Sequence, residues 1–185
     1  MSDNEANDEE QEKEQLRRIK KLRDGLASTD EKEILKAIEE AKEEGDARIV
    51  PDLIEVWAVT ENEAIKKRIL QIFYDLKDSD ATEHLLEALD HPDIQDRSDL
   101  LAVFWNSRLD ASEKIDKFTE IAVEGSYQEA FEALTAIEEM EGPFEENTVM
   151  EAQLWIKTYY AQGEDEKKPL IQGIDQTLRK IQEAI

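Results

Sequence analysis

The amino-acid sequence repeats with a period of 32 residues. Asp46, Asp78, Asp110 and Gly142 stand at equal intervals, and each interval holds two short amphipathic helical patterns. Leu22, Ile54, Leu86 and Phe118 share one position of that period, and Ile38, Leu70, Ala102 and Leu134 share another. Ala41, Phe73, Trp105 and Ile137 form a third column, and Trp57, Leu89 and Ile121 a fourth. Large and small residues alternate across the columns, as interdigitating packing requires. With a fixed period of this length, filled by helix pairs, each unit buries its apolar face only against its neighbours. The predicted fold class is therefore all-α, a right-handed α-α superhelix (a solenoid) of about five antiparallel helix pairs.

Apolar residues recur at three- and four-residue spacing throughout, beginning with Leu16, Ile19, Leu22 and Leu26 and ending with Leu170, Ile171, Ile174, Leu178 and Ile181. In the last pair the first helix carries Val149, Met150, Leu154 and Tyr159. Asp30 with Glu33, Thr60 with Glu63, Asp80 with Glu83, Asp110 with Glu113 and Ser126 with Glu129 all have capping-box spacing. In that motif the first side chain accepts from an orphan backbone N–H and the glutamate reaches back to the cap residue. Residues 1–12 are polar and acidic, with too little apolar surface to offset their ordering entropy, and are expected to be a disordered tail. Residues 13–185 form the helical repeat domain. Within it, residues 145–185 act as a capping pair whose outer face is polar through Gln172, Gln176, Arg179, Lys180 and Gln182.

The chain has 47 acidic and 23 basic residues, a net charge of −24. Its first fifteen residues hold seven acidic groups against Lys13, so −18 remains on the body. Such a field repels nucleic-acid phosphates and anionic lipid headgroups and favours basic partners. Plain solvation and salt adaptation are the competing explanations. Cysteine is absent, which excludes disulfides, thiolate nucleophiles and Cys-ligated zinc. The start lacks the basic and apolar regions of a signal peptide, and no apolar run approaches the ~18 residues of a membrane span. The cytoplasm is the expected location.

The stretch Gly45-Asp46-Ala47-Arg48-Ile49-Val50-Pro51-Asp52-Leu53-Ile54-Glu55 resembles the HEAT repeat family in its bacterial form. There an Asp-x-Arg turn leads into a helix that opens near a proline, a position that needs no N–H. Lys67-Arg68 followed by apolar residues is similar to the family's second helix. The likeness covers about residues 14–142 and is best at 46–90. It implies a curved stack with second helices on the concave side, and protein recognition as the function.

On that face the period places Glu63, Lys67, Gln71 and Tyr74, then Gln95, Asp99, Val103 and Asn106, then Tyr127, Phe131, Thr135 and Glu138. Lys67, Gln71, Tyr74, Asp99, Val103, Asn106, Tyr127 and Phe131 are the candidate partner-binding residues, because aromatic groups on a solvated ridge anchor partners. The competing reading is a helix rotation that puts some of them in the core. His84 and His91 lack metal-ligand spacing. Asp78-Ser79-Asp80 with Glu83 lacks the glycine and terminal glutamate of a calcium loop and reads as turn plus cap. Arg17, Arg18, Lys20, Lys21 and Arg23 form a basic segment suited to packing beside Glu39, Glu40, Glu43 and Glu44 or to an acidic partner. No catalytic constellation and no cofactor motif is present. The expected function is a non-enzymatic adaptor that binds a basic or amphipathic protein segment, and neither nucleic acid nor membrane. Other readings are a HEAT-like enzyme or cofactor-handling protein, such as a glycosylase or bilin lyase, and an acidic DNA mimic.

Overall fold

The computed structural model describes residues 3–44, 46–76, 79–163 and 165–185. Among these residues there are ten α-helices and two 3-10 turns, and no strand. The chain divides into two compact units, Met1–Ile72 and Phe73–Ile185. No helix among the described residues is long and apolar enough to cross a membrane.

The first unit holds α1 (Asp3–Leu26), α2 (Glu31–Glu44), a 3-10 turn (Ala47–Ile49), α3 (Val50–Val59) and most of α4 (Glu63–Asp75). Ile19, Leu22 and Leu26 are buried, whereas residues 10–18, Leu16 included, are exposed. The helical backbone nevertheless extends back to Asp3 through the stretch whose composition predicts disorder, with Met1 and Ser2 outside the described residues. α1 packs on α2 through a close approach at Gly25, where an added Cβ would lie 2.8 Å from the Ala37 methyl. Part of the basic segment pairs with acids of its own unit. Lys21 reaches Glu40 at 2.8 Å and Arg23 reaches Asp52 at 2.9 Å. The Lys21 hydrogen bond holds the Glu40 carboxyl below its usual range.

The Asp-x-Arg turn is held chiefly by its own two ends, with Gln15 and Arg23 of α1 bonding to it from outside. Asp46 accepts from the Arg48 backbone N–H at 2.9 Å and from its guanidinium in a two-pronged pair at 3.0 and 2.7 Å. That guanidinium pairing, more than any other cause, keeps the Asp46 carboxyl below the ordinary aspartate value. The 3-10 turn it caps delivers the chain into α3, where Pro51 stands in the first turn.

The second unit holds α5 (Ser79–Ala88), α6 (Ser98–Ser107), a 3-10 turn (Ser112–Lys114), α7 (Ile115–Glu124), α8 (Tyr127–Glu139), α9 (Glu146–Gln162) and α10 (Lys168–Ala184). α7 packs against both α8 and α9, and α8 packs against both α6 and α10. Helices next in sequence and helices two apart are thus both neighbours. Gly173 of α10 lets Leu134 of α8 come close, since a Cβ there would sit 3.1 Å from its methyls.

The connection from α9 to α10 is pinned on α7. The buried Lys167 ammonium donates to the carbonyls of Val123 and Gly125 at 2.6 and 2.7 Å and lies 3.2 Å from that of Ala122. These are carbonyls that the end of α7 leaves without a helical partner. The Tyr159 hydroxyl holds Asp165 at 2.7 Å in the same connection.

Of the repeat columns, Leu22, Ile54, Leu86 and Phe118 are all buried, as are Trp57, Leu89 and Ile121. Phe73 is buried, but Trp105 is half-buried because its indole N–H turns to a carboxylate on α8. Among the described residues Ser126 forms a complete capping box. Asp30 caps α2 by accepting from Lys32 N–H, and Asp110 accepts from Ser112 N–H just ahead of the 3-10 turn, whose cap position is Ala111. α4 is capped by Asn62 and not by Thr60, which closes α3. Asp80 is already inside α5, and Asp78, one of the four repeat marks, lies outside the described residues. On the last pair, Gln172, Gln176, Arg179, Lys180 and Gln182 are exposed. Met150 and Leu154 are exposed too, because α9 turns Val149, Ala152, Ile156 and Tyr159 inward and leaves these two opposite.

Phe118 is fully buried and meets Phe104 edge to face, with ring centroids 5.1 Å apart. Phe118→Ala should lower stability by about 3–5 kcal/mol, read by urea denaturation. A loss below about 1 kcal/mol would mean that Phe118 and Phe104 do not share a well-packed core in the second unit.

Candidate partner-binding face

The face begins with how α8 is set against α6. Ser126 precedes α8, and its hydroxyl accepts from Glu129 N–H at 3.2 Å. Glu129 returns the contact, with Oε2 accepting from Ser126 N–H at 2.8 Å. Its other oxygen accepts from the Arg97 side chain at 2.8 Å and from Arg97 N–H at 3.2 Å. Arg97 is the residue that precedes α6. One buried carboxylate therefore binds the N-terminal ends of two helices, where the helix dipole also favours negative charge. Burial pushes the Glu129 carboxyl up, but the Ser126 N–H and the Arg97 guanidinium and N–H outweigh it and hold the group below the glutamate range. Gly125 is needed here, since a Cβ would stand 2.5 Å from Glu129 Oε2 and 2.6 Å from the Ile121 carbonyl. The C-terminal ends of α6 and α8 line one cleft. Contact at both ends makes the two helices parallel.

Glu132 lies one residue past Phe131 and is 9% exposed. Its oxygens accept from Trp105 Nε1 at 3.0 Å and from Gln128 Nε2 at 2.7 Å. Both donors are neutral, and no cation pairs with Glu132 among the described residues. Tyr74 is 36% exposed. Burial first, then the charges of Asp99 and Glu132, raise its phenol above the usual tyrosine value. The Ser107 hydroxyl, on the last residue of α6, lies 3.0 and 2.9 Å from the carbonyls of Phe73 and Tyr74. Tyr127 and Phe131 are 48% and 46% exposed on α8. The second unit thus exposes three aromatic rings, one of which, Tyr74, lies within the field of two carboxylates.

Of the candidates from the sequence, Tyr74, Asp99, Asn106, Tyr127 and Phe131 are exposed in the second unit. Lys67 and Gln71 are exposed on α4 within the first unit. Val103 is not on the surface, because it is fully buried. Leu100 through Phe104 are buried without a break, so α6 is enclosed on more than one side and its apolar stripe is wider than one face. Gln95 lies in the loop before α6, where its amide donates to the Pro92 carbonyl. His84 is 3.6 Å from Glu87 on α5, and His91 Nδ1 accepts from Asp93 N–H in the following turn. Among the described residues no group of three acidic or histidine side chains is placed to hold a metal ion.

Gln128 and Glu132 were not singled out by the sequence pattern, and Trp105 entered it only as a member of an apolar column. Gln128 and Glu132 do stand at i,i+4 on α8, a spacing that lets amide and carboxylate meet. No protein-family model, curated protein or solved structure matches the chain.

The sign of the Glu129 linkage follows from its lowered pKa. The stability it contributes is present above the unfolded-state value of about 4.3 and is lost as pH falls through that value towards the folded one. Glu129→Gln should therefore cost about 1–3 kcal/mol at neutral pH, with the gap to the parent chain closing below pH ~4. Urea titrations at the two pH values test it, and a pH-independent gap would show that the charge is not what holds α8 to α6.

Proposed function

We propose that the chain is a non-enzymatic adaptor that binds a basic or amphipathic protein segment on its second-helix face. In this reading helix pairs stack within each unit in the right-handed manner of a HEAT-like α-α superhelix, and the adaptor works in the cytoplasm. The 32-residue columns, the contacts of the second unit between helices next in sequence and two apart, and the Asp46–Arg48 turn support the HEAT-like part.

The observation that carries the binding part is the exposure of Tyr74, Tyr127 and Phe131 in one unit, with the charges of Asp99 and Glu132 acting on Tyr74. Aromatic anchors supply apolar area at low entropy cost, and carboxylates near them select a cationic segment and speed its approach. The net charge of −24 extends that selection over a distance set by ionic strength.

Panning a displayed library of dodecapeptides against the full chain should enrich Lys/Arg-rich peptides with interspersed large apolar residues. Tyr74→Ala combined with Phe131→Ala should weaken those peptides about tenfold or more with circular dichroism unchanged. Enrichment without basic residues, or affinities indifferent to the double variant, would overturn the reading.

A further inference from the structure

An open cleft of about 510 Å³ lies where α6 and α8 end, lined among others by Arg108, Glu139, Met140 and Glu141. Its apolar part is built from Phe104, Trp105, Leu109, Ala136 and Met140, and its carboxylates are Asp110, Glu139 and Glu141. The two parallel helices turn their carbonyl ends, the negative ends of their dipoles, toward it. Trp105 is fixed in that wall by its N–H bond to the buried Glu132. An acceptor on the indole N–H of a tryptophan leaves the ring face electron-rich, which strengthens its attraction for a cation.

We propose that this cleft receives a lysine or arginine side chain of the bound segment. The inference rests on the adaptor reading above and adds a specific anchor to it. The apolar wall suits the aliphatic stem of such a residue, and the Glu139 and Glu141 carboxylates, the Trp105 indole and the helix ends all favour its charged head. The volume is ample for one long side chain with part of its backbone. Arg108 opposes entry. It follows α6 in the left-handed conformation at φ 55° and is the one basic residue of the lining. Removing its charge should help a cationic ligand, whereas a merely structural cleft would not respond in that direction.

The probes are fluorescein-labelled octapeptides of alternating Arg–Ala and of alternating Glu–Ala, titrated into the full chain at about 0.1 M salt, where exposed charges are not fully screened. The Arg–Ala peptide binds and the Glu–Ala peptide does not. Glu139→Gln with Glu141→Gln weakens the Arg–Ala peptide about fivefold, while Glu151→Gln with Glu183→Gln, an equal loss of charge on exposed positions of α9 and α10, changes it less than about twofold. Arg108→Asn, whose side chain tolerates the left-handed backbone, tightens binding about twofold to threefold. The inference falls if the Arg–Ala peptide does not bind, if the two double variants weaken it equally, or if Arg108→Asn weakens it.

The same variants tested on the panned peptides separate the two ideas. Loss with Tyr74→Ala and Phe131→Ala but none with the cleft variants removes the anchor and keeps the adaptor reading. The reverse pattern keeps the cleft and removes the aromatic face.

Discussion

Glu129 sits where the starts of two helices converge, and the arrangement of the second unit's surface follows from what its two oxygens accept. One oxygen completes the capping box of α8 and the other takes both the side chain and the backbone of Arg97 ahead of α6. Arg97 and Glu129 are one repeat apart, so the ion pair joins equivalent positions of successive helix pairs. A carboxylate so deeply buried is costly unless its lone pairs are filled, and here they are filled by groups that themselves need acceptors. The result is a fixed rotation of α8 that directs Tyr127 and Phe131 outward, Glu132 toward Trp105, and Leu134 toward Gly173.

The acidity of the chain serves more than one purpose. Asp30, Asp46, Asp110 and Glu129 are spent on backbone N–H groups at helix starts and turns. Glu40 and Asp52 answer Lys21 and Arg23 of the basic segment of α1, so that part of it is engaged inside its own unit. What distinguishes Glu132 is that its partners carry no charge, so its field is left to act on Tyr74 and Trp105. An anion held by neutral donors next to aromatic rings is a different object from an anion dispersed in water.

The period identified which residues would be interior in most columns because burial against neighbouring repeats leaves little choice of face. Leu22, Ile54, Leu86 and Phe118 illustrate this. The same logic misplaced Val103 and partly misplaced Trp105, since periodicity gives the direction of an apolar stripe but not its width, and α6 is enclosed on several sides. Thr60, expected from its spacing to Glu63 to cap the following helix, closes α3 instead, and Asn62 two residues on takes the capping place. The Arg97–Glu129 pair was readable as opposite charges one period apart. The Trp105–Glu132 contact, 27 residues apart, had no such signal, because it depends on the rotation of one helix against another.

Lys167 ties the α9–α10 pair to the end of an earlier helix of its unit. The carbonyl of Val123 waits for an ammonium 44 positions downstream. During synthesis on the ribosome α7 emerges long before that cation does, so its last turn relies on water until the closing hairpin arrives. Repeat arrays ordinarily gain stability increment by increment as each unit docks on the one before. Here the final hairpin reaches back over its predecessor's end, and residues 115–185 should melt as one cooperative block with no fraying from the C-terminus unit by unit.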